Sequence, residues 1–426
     1  MIQSVLFINP PSLPGTTANR EGTAGMGVTV STPRGFYYPP QTLAYGIAVL
    51  REAGYLVGGV DAVGQDLSLP ATLVLLRDHV PDLFVVHVTP QTWDADVRFL
   101  QALRGDFPHI PVLLIGTAAH FIPHARWSPW ATALLAGDAE WGLVQAVRAL
   151  PDQQPAAGLW YAHTSTPPAP VRIPHHPTLP RPAWDALPTD VYPFLSLWGS
   201  RGCEHTCAWC PYRLGWGDSR RVRDPQEVAE ELVWLAQTFG KPRHIFRDPL
   251  FAAQPEWVRT FCRELTRRAS PPPPWEVEDR PEHLTPDLLH QMARAGCTQV
   301  KLGLEIISPS LLVRWHRVPD ARAAQAYIRA AAQAIRTCRK EGILCRAFVL
   351  TGIGETEEEL AATEAFIQEH KPHYVSVKRF VPYPGLPSPP ELSLPEERLR
   401  AWEERLQAHT YPPRPSWRHR LRRIWS

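Results

Sequence analysis

Short apolar runs alternate with helix-period stretches over the first 150 residues. Val5-Leu6-Phe7-Ile8 is a continuous apolar run stopped by Asn9-Pro10-Pro11, the pattern of a buried strand. Residues 41–53 place apolar groups at helical spacing and end at Gly54, a good helix stop. A short strand around Val57–Val60 ends at Asp61, and 67–79 has helical spacing. Leu83-Phe84-Val85-Val86-His87-Val88 is a strand ending at Thr89, followed by a helix over 93–104. Val112-Leu113-Leu114-Ile115 ends at Gly116, Ala133-Leu134-Leu135-Ala136 ends at Gly137, and a helix covers 140–150. Five strands joined by helices predict an α/β, doubly wound sheet. Such sheets bind ligands beyond the carboxyl ends of their strands. Here those ends carry Asn9, Asp61, Thr89, Gly116 and Gly137-Asp138.

The alternation breaks at residues 151–193, which hold eleven prolines. Such a segment can be neither a central strand nor a helix interior. It reads as an ordered linker strapped to the surface by Trp160, Tyr161, Trp184 and Tyr192. A second series of strands follows at about 194–197, 243–247, 275–278, 299–304, 344–350 and 373–380. Helical patterns lie between them at about 225–239, 255–268, 286–295, 321–341 and 356–370. Six strands with outer helices predict a partial (β/α)6 barrel, whose site would lie at the carboxyl strand ends. The expected organisation is a doubly wound, Rossmann-like domain over 1–150, a linker over 151–193, a barrel over 194–390 and a short segment over 391–426.

Composition narrows the class. Hydrophobic residues make up 44% of the 426 and charged residues 20%, enough for ordinary globular cores. Lys plus Arg is 44 against 42 for Asp plus Glu, a balance that argues against a generic nucleic-acid binder. The basic stretch Arg414–Trp425 reads as a solvated surface segment. No window approaches the roughly 18 unbroken apolar residues of a membrane span, and the first residues lack the pattern of an export signal. Seven cysteines, an odd number with no export signal, point to reduced thiols and a cytoplasmic protein. Cys262, Cys297, Cys338 and Cys345 are spread over helices and strands and read as buried apolar residues.

The other three crowd into Cys203-Glu204-His205-Thr206-Cys207-Ala208-Trp209-Cys210, just after the first barrel strand. Soft thiolates select iron–sulfur clusters, copper(I) or zinc. Structural zinc wants four closed ligands, usually in two pairs, and no second pair is near. His205 could complete a zinc site only from within the same tight loop. Three thiolates suit a four-iron cluster with one iron left open. The order Cys-x3-Cys-x-aromatic-Cys resembles the signature of radical S-adenosylmethionine (SAM) enzymes. Phe246–Phe251, Gly303-Leu304-Glu305, Gly352-Ile353-Gly354-Glu355-Thr356 and Pro382-Tyr383-Pro384-Gly385 are similar to that family's later strand-end motifs. The resemblance implies that Cys203, Cys207 and Cys210 ligate a [4Fe-4S] cluster. It also implies that Trp209 lies against the adenine of S-adenosylmethionine, with Asp248, Arg280, Glu305, Gly352, Gly354 and Glu355 nearby. It assigns no catalytic residue.

The N-terminal sheet, with Asn9-Pro10-Pro11 after its first strand and Gly137-Asp138-Ala139-Glu140 after its fifth, resembles the cobalamin-binding domain of one branch of that superfamily. No Gly-x-Gly-x-x-Gly or Walker loop supports an ordinary nucleotide domain. The resemblance places cobalamin against Asn9, Asp61, Thr89, Gly116, Gly137, Asp138 and Glu140, with small residues such as Thr89 and Gly116 leaving room for it. The Asp-x-His-x-x-Gly loop that supplies a lower cobalt ligand is absent, so a cobalt without histidine ligation is expected. The function implied is a cobalamin-dependent radical SAM methyltransferase. It would move a methyl group from methylcobalamin to an unactivated carbon of a small-molecule substrate, after hydrogen abstraction by a 5′-deoxyadenosyl radical. It would need an electron donor such as flavodoxin or ferredoxin. A cyclase or ring-rearranging enzyme of the same architecture is the alternative; a cobalamin carrier would not need the Glu305 and Gly352–Glu355 motifs.

Overall fold

A computed structural model describes residues 2–31, 38–387, 391 and 393–412 of the chain. The basic stretch 414–425 lies outside them. The chain divides into two compact units. One comprises Met1–Leu197, Arg201–Cys203 and Pro211–Arg223; the other comprises Trp198–Ser200, Glu204–Cys210 and Asp224–Ser426.

The first unit is built on β1 (Ser4–Asn9), β2 (Thr16–Asn19), β3 (Val28–Ser31), β4 (Leu56–Asp61), β5 (Leu83–His87), β6 (Val112–Ile115), β7 (Ala133–Leu135) and β8 (Leu159–Tyr161). Its main sheet runs β4-β1-β5-β6-β7-β8. The pairs from β4 to β7 are parallel, and β8 closes the edge antiparallel to β7. This is the doubly wound order, with its reversal between β1 and β5. Parallel strands covered on both faces must be apolar throughout, which is why Phe7, Ile8, Val85, Val86, Leu113 and Leu114 are fully buried. Helices Gln41–Glu52, Leu69–Arg77, Trp93–Asp106 and Ala139–Ala149 connect the strands.

Two features differ from the sequence pattern. A β2–β3 hairpin stands between the first strand and the first long helix. The proline-rich segment contributes β8, a strand tolerated there because it lies at an edge. The anchors act as expected: Trp160, Tyr161, Trp184 and Tyr192 are all buried.

The barrel strands are β9 (Leu195–Leu197), β12 (His244–Phe246), β13 (Trp275–Asp279), β14 (Cys297–Glu305), β15 (Leu344–Thr351) and β16 (Tyr374–Arg379); a small ladder of β10 (Ser200–Arg201) and β11 (Arg221–Val222) precedes β12. The six form one sheet in sequential order, β9-β12-β13-β14-β15-β16. Pairs from β12 to β16 are parallel. Four of the crossover helices start where an oxygen side chain meets otherwise unpaired N–H groups, and Pro255–Arg268 starts without such a cap. Asp224 caps Pro225–Phe239, Thr285 caps Pro286–Arg294, Asp320 caps Ala321–Glu341, and Thr356 with Glu359 forms a capping box for Glu357–His370. Phe246, Phe251, Trp257, Phe261 and Trp275 make an aromatic cluster, with Trp257 stacked on Phe261 at 5.6 Å. Cys262, Cys297, Cys338 and Cys345 are buried free thiols.

Candidate functional site

The cysteine loop follows β9. Cys203 belongs by its contacts to the first unit, where its N–H donates to the Gly217 carbonyl at 3.1 Å. Cys207 and Cys210 belong to the second unit, joined by a turn in which Cys210 N–H donates to Cys207 O at 3.1 Å. Ala208 N–H donates to Trp315 O at 2.9 Å, so the turn is pinned from outside. Trp209 is buried beside Trp315, ring centres 6.1 Å apart, and Trp315 Nε1 donates to Ile353 O at 2.9 Å. The indole next to the cysteines is thus tied through one further indole to the Gly352–Glu355 turn.

Two guanidinium groups aim at the buried Cys207 sulfur. Arg280 Nη1 and Arg317 Nη1 each stand 3.6 Å from Cys207 Sγ. Arg280 is fixed by Nε to Glu282 at 2.7 Å and Nη2 to the Arg317 carbonyl at 2.7 Å. Arg317 is fixed by Nε to Tyr327 Oη at 2.9 Å and Nη2 to Glu305 at 3.1 Å. Tyr327 in turn donates to Gly303 O. Glu305 ends β14 in the left-handed region at φ 63°, next to a register shift that follows Gly303. Burial pushes its carboxyl up, against the pull of Arg317 and Arg280. His205 is held neutral, pulled to about 4 by burial and by Arg280, and its ring lies 5.9 Å from His283. Among the described residues, no group of three or more His, Cys, Asp and Glu side chains stands arranged to hold a metal ion. The donor set fits an anionic sulfur cluster: three soft thiols in eight residues, with two cationic N–H donors on one of them.

Asp248 and Glu355 make hydrogen bonds within this unit. Asp248 accepts from Gly199 N–H at 2.9 Å and Ser200 Oγ at 2.6 Å, bracing the loop ahead of the cysteines. The Glu355 carboxylate accepts from Gly352 N–H and Ile353 N–H, both at 2.8 Å, so it holds the glycine turn in shape. Arg280 and Glu305 meet through Arg317, which the sequence reading did not single out. Trp315 and Tyr327 were missed too. The only signal for Trp315 and Arg317 was a Trp-x-Arg ten to twelve residues beyond Glu305, which no pattern rule distinguishes from an ordinary helix end, and Tyr327 looks like any core aromatic of the helix Ala321–Glu341.

In the first unit the expected residues gather at the carboxyl end of the sheet, but their polar groups are mostly taken up by other side chains and backbone of the same unit. Arg20, from the hairpin, is fully buried and grips Asp96 at 2.6 Å, Asn9 at 2.8 Å and the Pro10 carbonyl at 2.7 Å. Asn9 donates to Asp61 at 2.7 Å; Asp61 also accepts from Tyr192 Oη and from Gly64 N–H. Burial pushes the Asp61 carboxyl up despite those donors. Asp138 accepts from Ile173 N–H at 2.8 Å and pairs with Arg221 at 3.3 Å and Arg201 at 3.4 Å; Glu140 pairs with Arg201. Gly27 packs directly on Thr89, and Gly116 directly on the end of β5. A side-chain carbon on Gly27 of the hairpin would stand 2.1 Å from Thr89 Oγ1, and one on Gly116 would stand 2.7 Å from the His87 ring. Open space lies alongside. A cavity of about 550 Å³ is lined by the Pro11–Thr17 loop, the turn after β4 through Pro70, and Ala95, Arg98 and Phe99. It has the size of a ligand subsite at strand ends next to the switch point.

Residues 199–367 match the radical SAM superfamily. An uncharacterised methyltransferase of Pyrococcus horikoshii is 25% identical over 362 residues, covering 82% of this chain and 77% of that protein. The anaerobic magnesium-protoporphyrin IX monomethyl ester cyclase of Rubrivivax gelatinosus is 27% identical over 376 residues, 82% of this chain and 65% of that protein. Among solved structures, the radical S-adenosylmethionine methyltransferase TsrM of Kitasatospora setae, with cobalamin and a [4Fe-4S] cluster bound, superposes with a TM-score of 0.71 at 19% identity. It covers 91% of this chain and 74% of its own. The cobalamin-dependent S-adenosylmethionine radical enzyme OxsB superposes with a TM-score of 0.71 at 15% identity, over 96% of this chain and 57% of its own. These likenesses establish the fold. No helix among the described residues is long and apolar enough to cross a membrane.

Proposed function

We propose, for a chain whose residues 199–367 belong to the radical S-adenosylmethionine superfamily, a cobalamin-dependent methyltransferase acting on an unactivated carbon of a small molecule. The observation that carries this reading is the presence in one chain of a doubly wound sheet unit and the Cys203–Cys207–Cys210 loop; it is supported by likeness in fold to TsrM, solved with cobalamin and a [4Fe-4S] cluster, and to OxsB, solved with aqua-cobalamin and S-adenosylmethionine. Residues 1–150 are assigned to cobalamin, 151–193 to the linker and 194–390 to the radical domain. When bound, the cluster with S-adenosylmethionine supplies a carbon-centred radical and cobalamin supplies a methyl carrier.

The chain's own residues bind, orient and exclude water. Cys203, Cys207 and Cys210 hold the cluster, and Trp209 offers an apolar face beside it. Glu305 carries the charge suited to an ammonium or ribose group. The Gly352–Gly354 turn, shaped by Glu355, lets backbone approach closely. Arg280 and Arg317 keep positive charge against Cys207, and neutral His205 brings none. In the sheet unit, the cavity beside Pro11–Thr17 suits an appendage of cobalamin, with Asn9, Asp61, Thr89, Gly116, Gly137, Asp138 and Glu140 building the strand ends behind it. An electron donor of the flavodoxin or ferredoxin kind completes the system.

The kinship to the Rubrivivax cyclase favours a second reading, radical ring formation without methyl transfer. One experiment separates the two. Full-length protein is reconstituted anaerobically with iron, sulfide and cobalamin, then given reductant and methyl-labelled S-adenosylmethionine. A methyltransferase binds about four irons per chain and moves label into the corrin fraction. Release of 5′-deoxyadenosine with no label in the corrin favours the cyclase. Stoichiometric zinc in place of iron in anaerobically isolated protein would sink both.

A further inference from the structure

We propose that Arg317 and Arg280 form a two-guanidinium clamp on Cys207 that sets the reduction potential of the cluster, an inference that rests on the cluster reading above. Thiolate ligands push electron density onto iron, and N–H donors to the sulfur draw it back. Hydrogen bonds to cluster sulfurs are an established lever on potential. Reduction adds negative charge, so cationic donors favour the reduced form most.

The geometry is built for this. Each guanidinium spends its other nitrogens on fixed partners and presents Nη1 to the same sulfur. Arg280 is anchored on Glu282 and on the Arg317 carbonyl; Arg317 is anchored on Tyr327 and Glu305; both Nη1 atoms lie 3.6 Å from Cys207 Sγ. The two arginines are also stacked against one ring, 5.7 and 5.3 Å from the centre of Tyr327. Tyr327 is itself tied to Gly303 O in β14. Arginine stays protonated in proteins, so each guanidinium brings a full positive charge to the sulfur. Planar fork geometry makes this an arginine position and not simply a cationic one. Because Arg317 joins Cys207 to Glu305, the clamp also links cluster potential to whatever Glu305 binds.

The test is an electron paramagnetic resonance redox titration of full-length, cluster-loaded protein without S-adenosylmethionine. Arg317→Met should lower the potential. At a fixed solution potential the reduced-to-oxidised ratio should fall about tenfold, which is 59 mV for one electron. Arg317→Lys keeps charge without the fork and should fall between. Arg280→Lys should shift the same way, and the two lysine changes together should shift further. Iron content and melting temperature serve as controls, and the lysine variants keep the test open if Arg317→Met fails to load. An unchanged potential in fully loaded Arg317→Lys and Arg280→Lys protein overturns the clamp while leaving the cluster reading intact. An unchanged potential with weakened S-adenosylmethionine binding assigns Arg317 to the cofactor instead. Wild-type protein that holds no cluster overturns both.

Discussion

His87, at the end of β5, is 2% exposed and its Nδ1 has no partner. Burial, helped by Arg20, pulls its imidazole down to about 3. An unfolded chain would protonate it near the ordinary value of about 6.5. Between those two values the unfolded state binds more protons, so this group's stability is complete above about 6.5 and drains away as pH falls toward the folded value. The slope is about 1.4 kcal/mol per pH unit for one such group. His87→Asn removes the titration. Thermal melts of wild type and variant at about pH 7 and about pH 5 should show a smaller acid loss in the variant, by roughly that slope. Equal losses would mean that His87 opens to water before the unit unfolds. The buried Asp61 and Asp96 carboxyls are raised and act with the opposite sign, but they are common to both proteins and cancel in the comparison. The same residues mark what a sequence can and cannot say. Asn9, Asp61, Asp138 and Glu355 were legible as polar groups at strand ends. That Tyr192, Arg20, Ile173 and the Gly352 turn would claim their hydrogen bonds was not, because each partner is remote in sequence or belongs to backbone.

Elements were far more legible than partners. Apolar runs and helical periods located all ten strands paired in parallel among the described residues, with their long crossover helices, because a covered parallel strand must be apolar along its whole length. The β2–β3 hairpin escaped because Thr16–Asn19 and Val28–Ser31 have little apolar content and half of β3 faces outward. Yet that hairpin carries Arg20 and closes over Thr89. β8 escaped because proline argued against strand, an argument that fails at an edge. The proline-rich segment also returns to pair Val171 with Gly137. There the backbone φ is 106° and a side-chain carbon would stand 2.0 Å from the Val171 carbonyl. Gly137→Ala should therefore cost about 3 kcal/mol or more. Gly105→Ala is the control. It lies in the helix Trp93–Asp106 with nothing near the added carbon, and should stabilise by about 0.5–1 kcal/mol. Melting temperatures should move in opposite directions; a harmless Gly137→Ala would show that the segment can lift off the sheet at little cost.

At the scale of the whole molecule, the proposed cofactors divide between two sets of residues that can be damaged separately. Cobalamin is assigned to the sheet unit, whose buried core of Phe7, Val85, Leu114 and their neighbours forms without any help from the cysteines. Cys203, Cys207 and Cys210 changed together to Ala should abolish bound iron and leave cobalamin content near wild type. The cob(II)alamin form of that variant, free of the cluster's own signal, should show no nitrogen superhyperfine splitting, since no histidine loop follows β1. Splitting by one nitrogen that vanishes in His87→Asn would assign the ligand to His87. Glu305→Gln should do the converse. It keeps size and loses a charge paired with Arg317, and losing a charged hydrogen bond typically costs about 1.5–3 kcal/mol, or about ten- to a hundredfold in affinity. The variant should therefore retain iron and cobalamin while S-adenosylmethionine binds more weakly and 5′-deoxyadenosine forms more slowly at subsaturating cofactor. Loss of cobalamin in the cysteine variant would mean that the sheet unit holds its ligand only when the cluster loop is intact, and an undisturbed deoxyadenosine yield in Glu305→Gln would reduce Glu305 to an anchor for Arg317.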